Sequence, residues 1–269
     1  MKSFWVHLAY DSRSALRDSG RLLLFHLFPL AFFGLCGGFM ATANPYFRQA
    51  MLPGMVLFAV MSATLLAAPS ALVQARENGV FRSFRVNGVP SVSILSIPVI
   101  GTALHVALAA TVISVAGAWL FGGRVPASMA GFAAAALLSY ATHAGVGVLI
   151  GVVADRDSSA ILAAQFVFVP SILLGGMMVP ERILSAVVQR VALLLPATHC
   201  MRAFAWLGGM GDGPAPWSSL TVLGSSTVLS FALAGALFEW DARANRPSRR
   251  RYAAILATVP YAVAALIGA

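Results

Sequence analysis

Seven stretches of this sequence carry no charged side chain: Leu22 to Ala43, Met51 to Val73, Ser91 to Phe121, Ser128 to Ala154, Ser159 to Val179, Ser219 to Phe238 and Ala253 to Ala269. They hold 161 of the 269 residues, so all 27 charges crowd into the other 108. A bilayer imposes this segregation, because an ionised group at its centre costs ~2.5 kcal/mol or more. The charged fraction is 10%, against roughly a quarter in a soluble domain. A water-soluble globule is excluded, and an all-α polytopic membrane protein is expected. A spanning helix needs ~17 to 25 apolar residues. The first six stretches reach that length and the seventh, with 17 residues, stands at its lower limit, so six or seven spans are expected. Ala41-Thr42-Ala43 imitates a signal-peptide cleavage site, but the apolar core before it is longer than the ~7 to 15 residues of a leader, which makes it an uncleaved first span. Cys36 and Cys200 form neither a disulfide framework nor a metal-type pair.

Orientation follows from the basic residues. With the N-terminus inside, the cytoplasmic segments hold Lys2, Arg13, Arg17, Arg21, Arg76, Arg82, Arg85, Arg156, Arg243, Arg246, Arg249, Arg250 and Arg251, and the opposite side holds Arg48, Arg124, Arg182, Arg190 and Arg202. Thirteen against five places the N-terminus in the cytoplasm. The formal charge of +9 is thereby explained by topology and contact with anionic lipid rather than by nucleic acid.

Residues 1–20 segregate Phe4, Trp5, Leu8 and Leu16 from Lys2, Asp11, Arg13 and Arg17, which suggests an interfacial helix. The outside loops Asn44 to Ala50 and Gly122 to Ala127 are too short to hold a domain. Gln74 to Pro90 is a charged cytoplasmic loop with room for one or two helical turns before Asn87-Gly88 and Pro90 break it. In the outside segment Pro180 to Ser218, Pro180 is expected to start a helix that Pro196 stops, and a second short apolar stretch carries His199 and Arg202. Two short helices that dip into the outer leaflet without crossing fit this pattern. No repeat or linker divides residues 1–269, which form one membrane domain.

The chain has one lysine, Lys2, and no Gly-x-x-x-x-Gly-Lys-Ser/Thr, so it is not an ATPase by that route. H-E-x-x-H, G-x-S-x-G and intramembrane aspartate are also missing. An enzyme acting alone is not expected, and no catalytic, cofactor-binding or metal-binding residue is assigned. His26, His105, His143 and Gln165 lie within the spans, where they either line a pathway or hydrogen-bond between helices. Gly34-x-x-x-Gly38 and Gly147-x-x-x-Gly151 would let helices approach closely. A transport-like layout without an energy source needs a partner that supplies one.

Three stretches resemble the permease subunits of type-2 ABC exporters. The run Arg76-Glu77-Asn78-Gly79, continuing through Arg82 and Arg85 to Pro90, is similar to that family's E-x-G coupling element after the second span. The stretch from Phe168 to Pro180, with Pro170, Gly175, Gly176 and a second proline, looks like its fifth span. Pro196-Ala197-Thr198-His199 followed by Arg202 resembles its P-x-T/S element before the sixth span. The resemblance implies a dimer with a second permease copy or homologue and two cytosolic ATPase subunits, on which ATP would reside, with no cofactor on this chain. It also implies outward movement of an amphipathic drug, lipid or glycan-type substrate across a bacterial plasma membrane. Arg76, Glu77, Asn78, Gly79, Arg82 and Arg85 would then meet the ATPase, while Pro170, Gly175, Gly176, Pro180, Pro196 and His199 would form the gate element. The apolar segment 253–269 departs from the family's six spans. The alternatives are an ion-coupled secondary carrier using the histidines, or a membrane protein without transport.

Overall fold

The computed structural model describes Arg13 and residues 17–211, 213–240 and 249–268. In chain order its helices are α1 Ser19–Ala43 and α2 Tyr46–Glu77, α3 Val80–Val86, α4 Ser91–Phe121, α5 Met129–Val153 and α6 Asp157–Leu174, α7 Ala186–Ala192, α8 Pro196–Leu207, α9 Trp217–Leu237 and α10 Val259–Ile267. Six of them, α1, α2, α4, α5, α6 and α9, are long and apolar enough to cross a membrane. No strand occurs among the described residues. The interfacial helix expected over residues 1–20 lies outside the described residues apart from Arg13 and the start of α1, where the Asp18 carboxylate accepts from the Arg21 amide at 3.1 Å.

A helix that is apolar all round belongs inside a bundle, and α2 is that helix. Every residue from Met51 to Leu65 is buried. Its most apolar stretch is 78% buried, against 22 to 33% for α1, α4, α6 and α9, whose outer faces expose Leu35, Trp119, Phe166 and Val228. The loop expected at Asn44 to Ala50 shrinks to a tight corner. Asn44 Oδ1 accepts from the Tyr46 amide, Pro45 occupies the first turn of α2, and Arg48 Nε donates to the Ala41 carbonyl at 2.8 Å. Arg48 thus closes the end of α1 rather than marking a loop.

Small residues decide which helices touch. A β-carbon on Gly147 would collide with the Thr64 carbonyl oxygen, and one on Gly151 would lie 3.0 Å from Leu72 and Pro69, so this glycine pair seats α5 on α2. Gly34 and Gly38 have nothing within 4 Å of that position. Next to the same contact the Thr142 and Thr227 hydroxyls lie 2.9 Å apart and join α5 to α9.

The final apolar segment is wound in i→i+3 turns over Arg249–Thr258 before α10 begins, with Pro260 in the first turn of α10, where its missing N–H costs nothing. Arg251 pairs with Asp155 beyond the end of α5, and Tyr261 lies 5.8 Å from the His199 ring in α8. α8 adjoins the opposite end of α5, where the Ser128 amide donates to the Gly208 carbonyl at 3.1 Å. The segment therefore runs the length of the bundle. Three arginines open it, and the charge-free part from Ala253 to Ile267, six residues rising ~2.0 Å and nine rising ~1.5 Å, reaches about 26 Å, short of a ~30 Å hydrocarbon core.

The close approach of α5 to α2 leads to a direct expectation. Gly147→Ala overpacks a backbone contact and should lower stability by ~1 to 3 kcal/mol, whereas Gly34→Ala, facing open space, should leave it unchanged. Thermal unfolding of the two purified variants in one detergent checks this, and equal transitions would refute the assignment.

Candidate functional site

The segment from Gln74 to Pro90 folds as a helix end, a turn and a second helix. α2 continues past Val73, through Gln74, Ala75 and Arg76, to Glu77. The chain reverses at Asn78-Gly79, where Gly79 has φ +73°, a region a β-carbon disfavours. α3 ends at Asn87-Gly88, and Pro90 sets the extended entry into α4. Two turns suffice to make α3 two-sided. Phe81 is buried, 5.5 Å from the Phe238 ring, and Phe84 is half-buried, while Arg82, Ser83, Arg85 and Val86 are exposed.

The six residues expected to couple divide into five and one. Glu77, Asn78, Gly79, Arg82 and Arg85 share the exposed face. Arg76 is only 3% exposed. Its guanidinium donates to the carbonyls of Gly151 at 3.4 Å, Val152 at 3.0 Å and Ala154. Gly151 and Val152 are among the terminal carbonyls of α5, which lack partners within their own helix, and Ala154 follows them. Arg76 therefore holds the α2–α3 turn to the end of α5 instead of presenting its charge at the surface.

The loop joining α5 to α6 completes this end. Gln74 Nε2 donates to Asp157 Oδ2 at 3.1 Å, Asp155 pairs with Arg251, and the Ser159 hydroxyl accepts from the Arg156 amide at 3.2 Å to start α6. Sequence reasoning missed Gln74, Asp155, Asp157 and Arg251 because each stood as a topology charge or loop polar group. The cluster Asp155-Arg156-Asp157 between two apolar stretches was the available signal. It also missed Val86, an apolar side chain 83% exposed at the tip of α3.

The opposite end gathers the expected gate residues. Pro170 lies inside α6, and the helix ends at Gly175, where a β-carbon would crowd the Ala197 side chain at 2.7 Å. Gly176 has φ +81°, and its carbonyl accepts from the Tyr46 hydroxyl at 3.2 Å. The helix expected to start at Pro180 is only one turn, Glu181–Ile183. α7 begins after Ser185, whose hydroxyl accepts from the Val188 amide, and it ends at Ala192. Pro196 starts α8 rather than stopping α7, since proline fits a first helical turn.

His199 is buried and tied twice. Nε2 donates to the Leu193 carbonyl at 2.9 Å and Nδ1 accepts from the Ser219 hydroxyl at 3.0 Å, the pattern of a neutral imidazole. Burial pushes its pKa below the usual histidine value. Arg202 pairs with Glu181 at 2.5 Å, and Arg182 lies over the Tyr46 ring. Between α2, Gly175 and α8 is a cavity of about 220 Å³.

The intramembrane polar residues separate. His26 Nε2 and His105 Nδ1 lie 3.1 Å apart, joining α1 to α4. His143 is fully buried and donates through Nδ1 to Ser139 on its own helix. Gln165 is half-buried on α6. No group of three or more metal-ligating side chains occurs among the described residues.

The sequence profile of the ABC-2 type transporter family matches residues 2–207, from the start of the chain to the end of α8. The chain belongs to that family. No curated protein and no solved structure matches it. The match makes this ABC-2 chain a multi-pass membrane component of an ABC-type transporter, a class of permease that works with a cytosolic ABC ATPase. α9 and the final segment lie beyond the matched region.

Removing the Arg76 guanidinium would strand three carbonyls. Arg76→Ala should cost about 2 to 3 kcal/mol, while Arg82→Ala, at an exposed site, should leave the unfolding transition in place. Thermal melts of the two variants separate the roles, and an unchanged melt for Arg76→Ala would refute the clamp.

Proposed function

We propose that this chain is the permease subunit of an ATP-driven exporter in a bacterial plasma membrane, with its N-terminus in the cytoplasm. It pairs with a second permease copy or homologue and with two cytosolic ATPase subunits, and it moves an amphipathic drug, lipid or glycan-type substrate outward. The observation that carries this reading is α3, a short helix with one aromatic side anchored on the bundle and one charged side exposed.

Closure of the ATPases on ATP presses on Glu77, Arg82 and Arg85. Because Arg76 ties the turn to α5 and Phe81 packs on Phe238 just past α9, the push reaches α2, α5 and α9 together. At the far end those helices meet α8, so the gate around Gly175 and His199 answers the displacement.

The thirteen-to-five division of basic residues supports α3 inside and α7 outside, and the apolar run Ala253 to Ala269 behind an arginine cluster supports a seventh crossing. In a background without Cys36 and Cys200, Ser83→Cys and Ser185→Cys should react with an impermeant thiol reagent from opposite faces. A reporter fused after Ala269 should share the face of Ser185→Cys. Labelling of both cysteines from one side would overturn the orientation, and a reporter on the face of Ser83→Cys would remove the seventh crossing.

Docking is tested separately. Glu77→Ala, Arg82→Ala and Arg85→Ala should each weaken ATPase association at least tenfold, about 1.4 kcal/mol, or uncouple ATP turnover from transport. Co-purification and substrate-stimulated ATP hydrolysis in a reconstituted complex measure both effects, and parental behaviour in all three variants would show these charges to be topology signals alone.

A further inference from the structure

A cavity of about 280 Å³ lies inside the bundle on the α3 side, walled by the adjoining halves of α1, α2, α4 and α5. Its floor is α3 itself, through Val80, Phe81 and Phe84. The room comes from three local features. α2 lines it with Ala67, Ala68, Ala71 and Ala75, side chains too short to reach across. Pro98 interrupts the hydrogen bonding of α4 at the wall. Leu23–Leu27 of α1 and Ser62–Ala67 of α2 are π-helical, a winding that recurs at functional sites, and they are stitched by the Ser62 hydroxyl donating to the Leu24 carbonyl at 2.9 Å.

Thr102 lines the space, and three other polar groups of the wall have protein partners. The Thr64 hydroxyl donates to the Val60 carbonyl at 2.7 Å and the Tyr140 hydroxyl to the Val99 carbonyl. His105 meets His26. What remains facing the space is hydrocarbon and hydroxyl oxygen. One ionised residue lines it, Arg21, beside Asp18 at 3.5 Å, and no carboxylate does. A ligand buried here needs an apolar body, and a cationic headgroup would meet the Arg21 guanidinium, with the nearby Asp18 carboxylate already paired to it.

We propose that this cavity binds a single-chain amphiphile whose headgroup is neutral or anionic, within one protomer, and that its occupancy is felt by α3. The binding claim stands on the cavity, whereas the step from occupancy to ATP turnover rests on the proposed role of α3. The site is separate from the gate cavity at the other end of the bundle, which includes Glu181 and Arg202.

The test uses the full chain in lipid nanodiscs and a photoactivatable oleic acid. Labelling should saturate with dose, map to α2 and α4, and be competed by oleic acid and mono-oleoylglycerol but not by oleylamine. Ala71→Phe, which fills the space, should cut labelling at least tenfold with an unchanged thermal transition, and Ala75→Leu decides the point if Ala71→Phe fails to fold. Labelling that rises without saturation, that oleylamine competes equally, or that persists in a folded filled variant overturns the proposal. Because binding is read on the permease alone, failure there leaves the ATPase-docking result untouched. Loss of docking in the α3 variants likewise leaves the cavity result standing. In the reconstituted complex the same acid should change ATP turnover at least twofold in the parent and not in Ala71→Phe, and an equal response in both would overturn the link to α3.

Discussion

Hydrocarbon offers no hydrogen bonds, so each helix end or interruption within a bilayer must be closed by protein. The polar contacts of this bundle answer that demand. Arg48 caps α1 through the Ala41 carbonyl, and the Ser62 hydroxyl serves the Leu24 carbonyl where α1 widens. The Thr198 hydroxyl and His199 Nε2 take up the carbonyls of Ala192 and Leu193 between α7 and α8. Arg76 does the same at the end of α5. Each of these donors joins two segments, so satisfying the backbone also builds the tertiary structure.

The consequence is a bundle fastened at both ends around one buried post. α2 spans the whole depth with its middle covered on every side, and its contact with α5 leaves no room for a side chain at Gly147. One end joins α3, the α5–α6 loop and the final segment through Arg76, Gln74 and Arg251. At the other, Tyr46 holds α2 to the turn after α6, and Gly175 and His199 hold α8 to α6 and α9. Such an arrangement transmits a displacement as a movement of packed helices rather than a local distortion, because close-packed interiors shift between discrete arrangements.

Part of the Gln74 to Pro90 segment could be read from its residues. Gly88 and Pro90 act on their own backbone, and the break they make stands where expected, whereas the turn at Asn78-Gly79 came from the structure. Arg76 shows where that reading stops. Next to Glu77 in a charged loop it looks like one more surface cation, and nothing local tells that α2 runs on past Val73 and turns this side chain inward onto carbonyls 75 to 78 residues away. The two glycine pairs make the same point. Gly34/Gly38 and Gly147/Gly151 have identical spacing, and the difference between them lies in what another helix places opposite.

By itself the sequence determined the class of structure, the six spanning helices and the division of charge, since charge-free length and backbone breakers act locally against a fixed bilayer thickness. The family is legible there too, because its short motifs lie in contiguous residues. The tertiary structure alone decided which polar groups meet: His26 with His105, Gln74 with Asp157, Asp155 with Arg251. It also decided that the final segment winds in i→i+3 turns before α10 and packs against α8 and α9, and where alanines of α2 leave a cavity above α3. These depend on helix rotation and contact between segments up to 96 residues apart, which side-chain packing sets and local pattern does not encode.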